Sequence, residues 1–98
     1  MAIKHLQNRI AASGTTIATD RAAAVRQLVI SCSNAGTAWT LAVRDKQSPA
    51  RNLVPAFTLT VVPPIIIKFD EPVPMRGGID LVTAGTPGVV DVWTAIDQ

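Results

Sequence analysis

The sequence has no tyrosine, a single cysteine and a single histidine, and only 16% of its residues are charged. Each scarcity weighs against a class of function. Without tyrosine the aromatic set is Phe57, Phe69, Trp39 and Trp93, which argues against promiscuous ligand capture, because adaptable recognition surfaces lean on rigid amphipathic rings. A lone Cys32 makes no intrachain disulfide and assembles no cysteine-based zinc cluster from one copy, which suits folding in a reducing cytoplasm. The basic residues Lys4, Arg9, Arg21, Arg26, Arg44, Lys46, Arg51, Lys68 and Arg76 are spread along the chain and leave a net charge of only +2, whereas a nucleic-acid footprint is denser. Long apolar runs are missing too: Val61 to Ile67 is short and broken by Pro63 and Pro64, and MAIKHLQNRI contains no extended apolar core. The expectation is a soluble chain made without a signal peptide, with neither nucleic acid nor membrane as partner.

What is abundant is core-forming material. Of the 98 residues, 48% are hydrophobic, enough for one β domain over residues 1–98 that buries a little over ~60% of its extended surface. The apolar residues recur with period two. Leu28, Ile30 and Cys32 alternate with Gln27, Val29 and Ser31, and Arg26 falls by the same parity on the apolar side. After Ser33-Asn34-Ala35-Gly36-Thr37, whose Asn and Gly tolerate left-handed backbone angles, Trp39, Leu41 and Val43 alternate with Thr40, Ala42 and Arg44. This pattern predicts a hairpin with matched apolar faces, and β-branched residues at strict alternation favour strand over helix.

Ser48 and Pro49 open a connection, after which Phe57, Leu59 and Val61 alternate with Thr58, Thr60 and Val62. Ile65, Ile66 and Ile67 cannot all face one side of a sheet, so one of them needs burial on the second face, which a neighbouring subunit could supply. The proline-rich DEPVPMRGG suits an edge or a crossover. IDLVT and VVDVWTAI around Ala84-Gly85-Thr86-Pro87-Gly88 predict a last hairpin, with Val90, Val92 and Ile96 on one face and Val89, Asp91, Trp93 and Ala95 on the other. Residues 1–12 fit a short helix through Ile3, Leu6 and Ile10, or an N-terminal arm, while SGTTIAT fits a strand. Six to eight short strands with turn signals between them predict an all-β fold, a single antiparallel β-sandwich or jelly-roll-like barrel with an N-terminal arm.

No constellation of reactive groups emerges. His5 lies near the terminus, where a packing or surface role is the ordinary one, and Cys32 sits mid-strand, where a buried thiol behaves as a small hydrophobe. Asp70 and Glu71 are adjacent and point apart, and Asp80 and Asp91 fall on the two strands of the last hairpin without a spacing that demands a metal or an acid pair. Gly77-Gly78 follows proline-rich coil, so it is no phosphate loop. The expectation is a chain with no catalytic, metal or cofactor site. Trp39 shares its face with Leu41 and Val43 and reads as core, whereas Trp93 stands beside Asp91 and divides evenly between core and interface anchor.

The succession GTTIAT, RQLVISCSNAGTAWTLAVRD and FDEPVPMRGGIDLVTAGTPGVVDVW resembles small accessory virion proteins of tailed bacteriophages, β-sandwich proteins of the capsid decoration or cement type; AGTAWTL and GTPG are its more characteristic pieces. The resemblance spans most of the chain. It implies a non-enzymatic virion structural protein at the capsid surface, made in the host cytoplasm, a homo-oligomer of two or three copies, with the major capsid protein as partner. A cement protein adds buried area across a seam between capsomers, with apolar anchors and strand edges, and gains avidity from several weak contacts. Ile3, Leu6, Ile66 and Trp93 are the contact residues expected on this reading. The alternatives are a neck or tail structural protein of the particle, or a carbohydrate- or receptor-binding module, for which two tryptophans and no tyrosine make a weak platform.

Overall fold

The computed structural model describes residues 3–46, 51–61 and 64–98. Eight strands carry the chain: β1 (Ile3–Ile10), β2 (Gly14–Thr19), β3 (Ala23–Asn34), β4 (Thr37–Asp45), β5 (Arg51–Thr58), β6 (Ile65–Met75), β7 (Ile79–Thr86) and β8 (Val89–Asp97). They form two four-stranded sheets, a front sheet in the order β1-β8-β3-β6 and a back sheet in the order β2-β7-β4-β5. Pairing is antiparallel throughout and runs inward from both ends of the chain: β1 with β8, β2 with β7, β3 with β6, β4 with β5. The chain is doubled back once, between β4 and β5, and the double ribbon is rolled so that its successive members alternate between the sheets. The fold is an all-β sandwich with this jelly-roll order.

Alternation in sequence becomes layering in space. Trp39, Leu41 and Val43 of β4 and Ile79 and Leu81 of β7 face Val25, Leu28 and Ile30 of β3 and Val90, Val92 and Ile96 of β8, and these side chains make one core. Cys32 is buried within it, its thiol donating to the carbonyl of Asn34 at 3.3 Å. At the end of the same inward series of β4, the Asp45 carboxylate accepts the backbone N–H groups of Arg76 and Gly77 at 3.1 and 3.0 Å.

Both expected hairpins are corrected. β3 and β4 lie in different sheets, and so do β7 and β8. Each connection is an arch that carries the chain across the sandwich, the first through Gly36 (φ 57°) and Ala38 (φ 49°), so the matched apolar faces meet across the core instead of lying side by side. Period two says which residues share a face but not which sheet the face belongs to. A second correction is local: a register irregularity between Val25 and Gln27 turns Val25 into the core and leaves Arg26 exposed, reversing the parity expected there. Residues 3–10 take the strand form, so the arm expected over 1–12 is, where described, an integral edge strand. Leu59 reaches the core just beyond the end of β5, whereas Val61 is exposed. Ser48, Pro49, Val62 and Pro63 lie outside the described residues.

The two arches pack on each other. A Cβ on Gly88 would stand inside contact distance of the backbone carbonyl of Asn34, and one on Gly36 would meet that of Thr86. Gly88→Ala is therefore expected to cost about 1–3 kcal/mol through overpacking, read as a lowered urea midpoint with unchanged slope.

Candidate functional site

The outer face of the front sheet combines exposed apolar groups with held charges. Register places Gln7 of β1, Trp93 of β8, Val29 of β3 and Ile66 of β6 side by side in one row across all four strands. The next row is His5, Ala95, Gln27 and Lys68, and the row on the other side begins Arg9, Asp91, Ser31. Trp93 is half-buried in this face, whereas Ile66 is 59% exposed. A sheet face turned away from the core normally carries polar groups, so the Trp93, Val29, Ile66 strip is the departure to explain.

Ion pairs frame the strip. On one side Arg9 donates Nε to Asp91 at 2.9 Å and a second guanidinium nitrogen to the other carboxylate oxygen at 3.3 Å. On the other, Arg26, exposed by the bulge, donates Nε to Asp97 at 2.6 Å. The hydrogen bond to Asp91, and then its charge, hold the Arg9 guanidinium further above its ordinary range; the bond to Asp97 does the same for Arg26 against a smaller opposing effect of burial. The arginines are largely exposed but both carboxylates are buried, so each pair neutralises an acid of this sheet that would otherwise be left buried and unpaired. Between the frames lie two adjoining depressions, one of about 80 Å³ over Trp93, Val29 and Ala95 and a shallower one of about 400 Å³ reaching Ile3, Lys68 and Phe69.

Three of the four expected contact residues, Ile3, Ile66 and Trp93, lie on this face, Ile66 in the row of Trp93 and Ile3 two rows away at the start of β1, opposite Asp97. Leu6 does not: it alternates to the inner side of β1, opposite Thr94, and packs against the core, because residues of opposite parity on a strand cannot share a face. Val29 and Gln7 were not anticipated as members of the strip. The parity of Val29 was legible and that of Gln7, in a segment read as helix or arm, was not; the strand order sets both beside Trp93. Of the isoleucine run, Ile67 packs against the core and Ile66 points outward.

The other singled-out groups are dispersed. Asp80 faces outward on β7 opposite Arg44 of β4, in the sheet that does not contain Asp91. His5 lies in the row beside the strip, and Asp70 and Glu71 are exposed on β6. Among the described residues, no three His, Cys, Asp or Glu side chains gather as metal ligands, and no helix is long and apolar enough to cross a membrane. No family model matches the chain, and no curated protein matches it.

Proposed function

We propose that the protein is a non-enzymatic virion structural protein that decorates a capsid shell, seating the outer face of its front sheet on the lattice of the major capsid protein. The carrying observation is the Trp93, Val29, Ile66 strip, apolar at its centre and framed by internally neutralised Arg–Asp pairs, which is the anatomy of a protein-binding patch with a polar rim. The motif resemblance supplies the virion context. The jelly-roll order suits it without deciding it, since that architecture also serves lectins and enzymes.

Two substitutions on this face test the reading. Trp93→Ala and Ile66→Asp both act outside the core, so circular dichroism is expected to report a folded protein. Binding to shells stripped of the protein, read by co-sedimentation, is expected to fall roughly 30-fold for Trp93→Ala, the loss of one anchor residue of about 2 kcal/mol. Parental binding by both variants would place the contact elsewhere. Saturation at a handful of copies per particle would move the protein to the neck or tail.

A further inference from the structure

Four strand edges are open among the described residues, those of β1, β6, β2 and β5. An open edge presents unpaired N–H and C=O groups to any extended chain, and proteins blunt such edges with proline, bulges, short strands or inward-pointing charge. Three of the four are blunted in these ways. β6 carries Pro72 and Pro74 and a register break against β3; β5 carries Pro55 and two breaks against β4; β2 is six residues long with a bulge after Ile17. β1 differs, pairing with β8 without interruption from Ile3 to Ile10 and containing no proline. Its charges are Arg9, which is held by Asp91 of the neighbouring strand, and Lys4, which by register shares the inner side with Ile96 and Leu6.

The geometry points to a second copy of this chain as the occupant of that edge, its β1 antiparallel to the first across a twofold axis perpendicular to the sheet. Such an axis keeps the two outer faces on the same side, so residues facing each other must have equal parity and their numbers must add to an even sum. That requirement forbids the alignment that would oppose Lys4 to Arg9. With Leu6 on the axis the pairs are Leu6 with Leu6, His5 with Gln7, Lys4 with Asn8 and Ile3 with Arg9, with no like charges opposed.

The Lys4–Asn8 pair selects the partner. Asn8 Oδ1 is buried and has no hydrogen-bond partner among the described residues, and Lys4 offers three donors and no acceptor. A charge that repels an arbitrary strand thus meets, in a second copy, an acceptor in need of a donor, and symmetry makes the contact twice. The dimer would join two front sheets into one eight-stranded surface with its Trp93 strips on the same side, on the order of 15 Å apart. A bivalent grip of this kind would serve shell binding, but the seam rests on the residues of β1 alone.

Sedimentation equilibrium of the full chain is expected to give a monomer–dimer equilibrium. Asn8→Lys, which sets Lys4 against a lysine twice, is expected to weaken it at least about fivefold, and Lys4→Glu combined with Asn8→Lys to restore it. Because Asn8 is half-buried, a second test uses exposed positions: a mixture of His5→Cys and Gln7→Cys chains is expected to form a cross-linked heterodimer on oxidation, and a mixture of Ile3→Cys and Gln7→Cys is not. A chain that stays monomeric at millimolar concentration, or a dimer that forms no His5→Cys/Gln7→Cys cross-link, overturns the proposal. Either result leaves the shell-binding reading to be judged by co-sedimentation.

Discussion

Trp39→Ala is expected to leave the protein at best marginally folded at ordinary temperature. The Trp39 ring is fully buried, at 0% exposure, in the layer formed with Leu41 and Val43. Its truncation removes the largest side chain of the core and leaves a cavity that the surrounding strands cannot close, at a cost of about 3–5 kcal/mol. A domain of this size buries a modest fraction of its surface and sits toward the lower end of the usual ~5–15 kcal/mol. Trp39→Phe separates packing from polarity. Trp39 Nε1 is buried without a hydrogen-bond partner among the described residues, so phenylalanine discards an unsatisfied donor together with part of the ring, and the net loss is expected to be about 1–2 kcal/mol. Urea unfolding of the two variants checks both statements. A Trp39→Ala protein with a midpoint near the parent's would mean that the ring is not a core element.

The second large effect is expected at Asp45, a carboxylate only 1% exposed. One of its oxygens accepts the Gly77 N–H at 3.0 Å; the other accepts the Arg76 N–H at 3.1 Å and faces an Arg51 guanidinium nitrogen at 3.4 Å. Next to it the Lys46 N–H donates to the carbonyl of Gly78 at 3.2 Å. Asp45 thereby ties the end of β4 to the turn that takes the chain from β6 to β7, that is, from one sheet to the other. Asp45→Ala strips the acceptors from two backbone donors and is expected to cost about 3 kcal/mol, since a hydrogen bond to a charged group contributes about 1.5–3 kcal/mol. For a chain of this length that lowers Tm by more than about 10 °C. Asp45→Asn, which keeps one acceptor, should lose about half as much. Hydrogen exchange is expected to show the Arg76 and Gly77 amides losing protection first, and a melting temperature within about 2 °C of the parent's for Asp45→Ala would refute the assignment.

Both effects bear on what was legible in the sequence. Parity alone put Trp39, Leu41 and Val43 inward and Leu28, Ile30 and Cys32 opposite them, because a half-buried strand has no other way to separate apolar from polar groups. The same parity continues to Asp45, and that was the available signal for an inward carboxylate, obscured by its place in an otherwise charged Arg44-Asp45-Lys46 run. Sheet membership was not legible. An arch and a hairpin draw on the same Asn and Gly turn residues, and the choice between them is made by the whole ribbon rolling up to bury both faces. For that reason Asp80 and Asp91 looked like neighbours and are not, and the row of Trp93 with Val29 and Ile66 emerged only with the strand order. The bulge at Arg26 escaped as well, since one extra residue leaves no mark in composition.

Where the protein sits is tested most directly by immunogold labelling of purified particles from its source, with an antibody raised against the recombinant chain. Gold at many sites over the shell is the expected result. Particles that carry no gold would contradict the virion assignment.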